Sequence, residues 1–313
     1  MTAMLSRRAF MAASSALPLA ACAAGRDAPT AAIATPPMSR SSYRVGTIVV
    51  TPLLDGTLDI PLSVMPAADN AEGEALLTAA DMPPKGPVTI PVNAFAVERD
   101  GRLWLIDSGG GAGMAATAGR MPAALAALGY QPSQVEGIVL THLHPDHTGG
   151  LLGPQGAKLF PQAEILVQTV EVAFWTDEGA RSQAPADMAL LFDSARTVLE
   201  TYKDQVRPVS GSAEVFPGGN YVLLPGHTPG HAGVLFEDSG ERLLIWGDII
   251  HATPLQFVHP DWTLTFDTDQ AQARATRARV LDMAVADEMS VAGAHMKAGG
   301  KVERRGDGYA LVA

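Results

Sequence analysis

THLHPDHTGG, residues 141–150, gathers three of the chain's eight histidines and an aspartate within six positions. The stretch continues a short apolar run at 135–142, VEGIVLTH, which reads as a strand delivering its C-terminal end to the cluster. Residues two apart on an extended segment point the same way, so His142 and His144 can grip one ion from one side. Pro145 restrains the backbone, and Asp146 and His147 then face a neighbouring position. Imidazole and carboxylate without thiolate suit Zn and also accept Fe, Mn or Co. Gly149 and Gly150 let backbone pass close to such a site and let a helix begin there.

The ligands of this one stretch cannot complete two coordination spheres. The remaining candidates are His227 in PGHTPGH (225–231), Asp248 in LIWGD (244–248) and His295 in AGAH (292–295), each at the end of an expected strand. Two ions roughly 3.5–4 Å apart would need about this many side chains and a bridging water. The pattern around them alternates sheet and helix. Residues 43–56 read as a strand closing at Asp55-Gly56, and 93–110 as a hairpin turning at Asp100-Gly101. Helices are expected at 121–130, stopping at Gly129, at 186–202, and from about Thr268 with Asp267 as N-cap. Strands are expected at 163–169 and 221–227, with a further hairpin over 233–248. Several strands thus end on a polar residue, where α/β proteins put their sites.

In this order HLHPDH, PGHTPGH, WGD and AGAH resemble the metallo-β-lactamase superfamily over about residues 45–300. The resemblance implies an α/β, single-domain, four-layer αβ/βα sandwich, two mixed sheets face to face with helices outside and the site at one edge. It implies that His142, His144 and His227 hold a first metal, that Asp146, His147 and His295 hold a second, and that Asp248 bridges both. Asp107 in LIDSGG matches the family's early aspartate, which supports the site from outside the ligands; the plain alternative is a turn residue before Gly109. His231 is either a partner behind the ligands or strand packing, and His259 is ordinary surface.

The branch within the superfamily is narrowed by departures. The lone cysteine, Cys22, sits in the leader and excludes a cysteine-ligand β-lactamase. The stretches EVAFWTDEG (171–179), WGDIIHATPLQF (246–257) and FDTDQAQA (266–273) resemble bacterial lactonases and methyl parathion hydrolase. In that branch bulky apolar side chains wall the leaving-group pocket. Trp175, Phe192 and Met114 match such positions, with core packing as the alternative, and the loop PLSVMPA (61–67) is a further candidate wall. The resemblance implies two divalent metal ions, Zn before Fe, Mn or Co, and hydrolysis of lactones or aryl esters by hydroxide generated between them. Asp146 and Asp248 are the acidic catalytic candidates, with Asp248 passing a proton to the leaving group. His251, three positions after Asp248, contacts the substrate or packs beneath the site. Organophosphate triester hydrolysis is the runner-up, and a non-catalytic metal-binding relative is the reading from another class.

Composition sets the frame. A chain of 313 residues, 47% hydrophobic and 18% charged, has the length for one large domain. Its net charge of -11 argues against a nucleic-acid partner, which needs clustered Lys and Arg; the partner that the resemblance implies is a small-molecule ester or lactone. A homodimer is compatible with the sequence. Residues 1–21 have the grammar of a twin-arginine export signal, with Arg7 and Arg8 in SRRAF. Leu19-Ala20-Ala21-Cys22 resembles a lipoprotein cleavage box that would acylate Cys22 as a lipid anchor; otherwise Cys22 is incidental to a small-residue cleavage site. Residues 22–42, rich in Ala, Pro, Ser and Thr, read as a disordered tether, and 43–313 as the catalytic domain. The expected location is the periplasm, tethered to a membrane.

Overall fold

The structure, a computed structural model, describes residues 42–312. Arg7, Arg8, Cys22 and the leader and tether read around them lie outside the described residues. In the first half β1 (Tyr43–Val45), β2 (Ile48–Ile60), β3 (Val88–Arg99), β4 (Arg102–Ile106), β5 (Gly137–Val139), β6 (Glu164–Gln168) and β7 (Val206–Val209) hydrogen-bond in that order into one sheet. Its pairs are antiparallel from β1 to β4 and parallel from β4 to β7. In the second half β8 (Glu214–Phe216), β9 (Gly219–Leu223), β10 (Ala232–Asp238), β11 (Glu241–Ile245), β12 (Ser290–Ala292), β13 (Gly300–Arg305) and β14 (Gly308–Val312) form the other sheet. Only its β11–β12 pair is parallel. The helices are α1 (Ala71–Ala79), α2 (Met121–Ala127), α3 (Pro145–Thr148), α4 (Thr169–Thr176), α5 (Glu178–Gln183), α6 (Ala186–Thr201), α7 (Thr253–Gln256) and α8 (Gln270–Ala286). Among the described residues no helix is long and apolar enough to cross a membrane.

Alternation along the strands builds the layers. On β4, Leu103 and Leu105 face Met121 and Leu125 of α2 and Val198 of α6, whereas Trp104 and Ile106 face the other sheet, where Phe216, Val234 and Phe236 wait. On β11, Leu243 and Ile245 fill the space between the sheets, while Leu244 points outward to Val280 and Leu281 of α8. A two-residue period with both faces apolar is what a sheet covered on both sides requires. The order is helix, sheet, sheet, helix, the four-layer sandwich expected. Burying each large side chain contributes about 1.5–3 kcal/mol, and a one-residue slip would exchange the faces of a whole strand.

Two local expectations are corrected. β2 does not close at Asp55-Gly56; the register shifts there in a bulge and pairing with β3 continues to Ile60. The buried Asp55 carboxylate instead accepts the backbone N–H groups of Gly110, Gly111, Gly119 and Met121 at 2.9–3.2 Å, pinning the loop that follows β4. The last helix begins at Gln270 and is capped by Asp269, whose side chain accepts from the Gln272 N–H at 2.9 Å. Asp267 is turned elsewhere. The Asp100-Gly101 turn, with φ of 52° and 76°, and the stop of α2 before Gly129, with φ of 88°, are as the sequence reads. Residues 61–87 pack as a flap on the body: Leu62, Met65 and Leu77 bury against Ala252, Leu255 and Trp262.

Candidate metal centre

β5 ends at Val139, the chain bends at Thr141, and His144, extended at φ -68° and ψ 153°, precedes the proline that opens α3. Proline at the first helical position has the φ a helix needs and no N–H to waste. His142 and His144 therefore leave from the irregular stretch between β5 and α3, and Asp146 and His147 from the first turn of a helix. The long-range partners arrive on the loop after β9 (His227), the loop after β11 (Asp248) and the loop after β12 (His295).

The ligand atoms converge in two groups. His144 Nδ1 lies 3.0 Å from His142 Nε2 and 2.9 Å from His227 Nε2. Asp248 Oδ2 lies 3.3 Å from His227 Nε2 and 3.7 Å from His142 Nε2. In the second group His295 Nε2 is 3.4 Å from Asp146 Oδ2 and 3.3 Å from Asp248 Oδ2, and His147 Nε2 is 3.1 Å from Asp248 Oδ1. Each group of four keeps its ligand atoms within 4.8 Å of one another, and Asp248 belongs to both.

The residues fit two divalent cations on three counts. Ligand atoms about 2.0–2.1 Å from a tetrahedral ion stand roughly 3.3 Å apart, which is the spacing seen. His147 Nε2 and Asp248 Oδ1 face each other at 3.1 Å, both buried and neither in a hydrogen bond, an arrangement that is costly for polar atoms and that a cation held by both would relieve. The charges also call for cations. Burial works to lower His227, yet its hydrogen bonds with Asp248 and Asp267 push it up to about 9. His295 is likewise pushed up to about 10 by Asp248 and Asp146 against the effect of burial. Asp248, Asp146 and Asp107 likewise hold His147 well above the ordinary range against burial, whereas burial lowers His142 and His144 well below it.

Buried groups outside the two clusters orient them. Asp107, itself at φ 57°, accepts from His147 Nδ1 at 2.8 Å and from the Thr141 N–H and Oγ1 at 2.8 and 2.9 Å. His231, pushed down to about 3 by burial, donates from Nδ1 to Leu224 O at 2.9 Å and accepts the Asp248 N–H at Nε2 at 3.0 Å. Such partners fix ring orientation and ligand basicity. Sequence reading missed three more. Asp267 Oδ1 lies 2.8 Å from His227 Nδ1. Asn93 Nδ2 donates to Ala294 O and Met296 O at 3.0 and 2.9 Å, clasping the backbone on either side of His295. Glu171 accepts from backbone of two ligand loops. The one available signal for Glu171 was a lone acid inside the apolar run that continues β6.

A cavity of about 540 Å³ opens over the centre, with His144, Asp146, Asp248, His251 and His295 on its polar side. Leu58, Ile60, Val64, Ile90, Met114 and Phe266 supply its apolar surround. Met114 is 36% exposed and lines it, as do Pro61 and Val64 of the 61–67 loop. Trp175 and Phe192, read as pocket walls, are 0% and 1% exposed and belong to the core under α4 and α6. Trp175 stacks edge-on behind His144 at 5.4 Å, and Phe192 packs on Trp175 at 4.7 Å. His251 Nε2 stands 3.1 Å from Asp248 Oδ2, with its ring stacked on His295 at 4.9 Å. His259 pairs with Glu72 at 2.9 Å and stacks on Trp262, away from the centre.

Comparison with known proteins finds similar sequences and folds. A model of the metallo-beta-lactamase superfamily matches residues 88–295. An N-acyl homoserine lactonase of Bacillus cereus is 28% identical over 132 residues, 40% of this chain, and the chain spans only 42% of that relative's length. The crystal structure of the hydrolase AbOPH, in the beta lactamase superfamily, superposes with a TM-score of 0.80 at 28% identity, covering 87% of this chain and 96% of that one. AidC, a dizinc quorum-quenching lactonase in complex with a product, superposes with a TM-score of 0.81 at 23% identity over 87% of this chain and 96% of its own, a likeness of fold.

Proposed function

Because the chain belongs to the metallo-beta-lactamase superfamily, we propose that it is a dinuclear-metal hydrolase of lactones or aryl esters. The observation that carries this reading is the pair of four-ligand groups sharing Asp248 on the floor of one open cavity. Similarity to an N-acyl homoserine lactonase supports the lactone half of it. Zinc is the metal that the imidazole and carboxylate set suits first.

Bound divalent ions supply Lewis acidity and an acidified water in such a site. The chain's own residues do the rest. His142, His144 and His227 face Asp146, His147 and His295 across Asp248, so the two holding sets keep their separation through one rigid carboxylate. Asp248, buried and 3.1 Å from His251 Nε2, takes up the proton that the attacking water gives up and hands it to the leaving oxygen, so the water's two hydrogens end on the acid and the alcohol. His251 offers a polar contact at the cavity wall that orients a planar carbonyl. Ile60, Val64, Met114 and Phe266 keep water from the remainder of the substrate.

A phosphotriester is the second reading, because apolar side chains surround the cavity on more than one side and suit several bulky substituents. His251 ranks it second, since a polar group there favours an ester carbonyl over a third apolar arm. A hydrolysis screen of the zinc-loaded protein across lactones, aryl esters and methyl parathion tests the ranking. The kcat/KM for a favourable lactone or aryl ester should exceed that for methyl parathion by at least about tenfold, or roughly 1.4 kcal/mol. Equal or faster phosphotriester turnover reverses it. We further propose a periplasmic, membrane-tethered location, supported by the Arg7-Arg8 pair and by Cys22 after three small or apolar residues.

A further inference from the structure

Glu171 is fully buried on α4, and among the described residues no lysine or arginine pairs with it. Its Oε2 accepts the Leu143 N–H at 3.1 Å and the Trp175 indole N–H at 2.7 Å, and its Oε1 accepts the Gly230 N–H at 2.8 Å. Leu143 lies between His142 and His144, and Gly230 lies three residues after His227. One carboxylate therefore ties together the two loops that carry the three histidines of one cluster. The fit is close: a β-carbon at Gly230 would sit 2.6 Å from Glu171 N and 2.9 Å from its Cγ, so only glycine lets the second loop approach. Trp175 closes the assembly by stacking on His144. Burial pushes the Glu171 carboxyl upward, and Thr228, Trp175 and the backbone N–H groups of Gly230 and Leu143 act against it. Nothing comparable links Glu171 to Asp146, His147 or His295.

We propose that Glu171 is a positioning residue that sets the spacing of His142, His144 and His227, and so governs the affinity of the three-histidine site while leaving the other site alone. A carboxylate is required because both oxygens accept from backbone groups that have no other partner when α4 packs down. An amide of the same shape offers one acceptor and confronts an N–H with an NH2. The inference rests on the metal-binding reading, and the test separates the two.

Zinc affinity is measured by competition with a chromophoric chelator in two single-site backgrounds. His295→Ala leaves the three-histidine site, and His227→Ala leaves the site of Asp146 and His147. Adding Glu171→Gln should weaken zinc binding about tenfold or more in the first background and by less than about twofold in the second, with far-UV circular dichroism unchanged. Trp175→Phe keeps an aromatic ring and removes one donor, so it should act in the same direction with smaller amplitude, and it serves if Glu171→Gln does not fold. Equal weakening in both backgrounds would reduce Glu171 to general support and overturn the proposal, as would unchanged affinity in both. Failure of the unaltered protein to bind zinc would overturn the metal reading, and the inference with it.

Discussion

Asp267 Oδ1 lies 2.8 Å from His227 Nδ1, while Asp267 Oδ2 accepts the Leu264 N–H at 2.9 Å. Burial works to raise this carboxyl, yet the hydrogen bond with His227 brings it down to about 2. The aspartate thus fixes which His227 nitrogen faces the cluster and holds the ring in place through a turn that is itself anchored. Asp267→Ala should lower zinc affinity by about 10- to 100-fold, read by chelator competition, and Asp267→Asn by less because an acceptor oxygen remains. Unaltered affinity in the alanine variant would remove Asp267 from the centre.

Asp248 appears in both ligand groups, so its loss should cost catalysis far more than folding. Metal-supplemented protein is expected to hold close to two equivalents by elemental analysis. Zinc at a free concentration a hundredfold above a site's Kd should add about 2.7 kcal/mol of stability per site, seen as a drop in Tm on chelation. Asp248→Asn should reduce hydrolysis by on the order of a hundredfold or more while the far-UV spectrum persists. Full activity at a stable single equivalent would count against a dinuclear centre.

His251 stacks on His295 and touches the same cavity. Replacing it with leucine removes the polar contact and extends the apolar surround. His251→Leu should therefore narrow the preference for a lactone or aryl ester over methyl parathion, chiefly by lowering kcat/KM for the ester. A preference that stays the same would assign His251 to packing beneath the site.

The proposed export and anchoring are tested by substitution at Arg7, Arg8 and Cys22. Arg7→Lys together with Arg8→Lys should leave precursor in the cytoplasm, since a twin-arginine signal is read as an address. Cys22→Ala should release the protein from membrane fractions. Unchanged fractionation of the cysteine variant would leave soluble secretion in place of a lipid anchor.

What the sequence determined by itself was everything whose cause is local or periodic. Pro145 after an extended His144 dictates that Asp146 and His147 leave from a helix turn and that His142 and His144 precede it, although the strand stops at Val139, short of the 135–142 run that the sequence suggests. The two-residue period of β4 and β11 dictates which side chains meet between the sheets. The Asp100-Gly101 hairpin needs only left-handed backbone at two residues. Tertiary structure alone decided the rest. Asp55 reads as a strand end because aspartate before glycine is local turn chemistry, yet its partners are N–H groups 55 to 66 residues away. Glu171 and Asn93 hold ligand loops through backbone donors and acceptors, which every residue carries and no motif records. Trp175 and Phe192 are large and apolar wherever they fall, and only the packing of α4 and α6 sends them behind His144 and leaves the cavity to Met114 and the 61–67 loop. Side-chain identity announces what can bind a metal, but burial and backbone partnership are set by chain segments far apart in sequence.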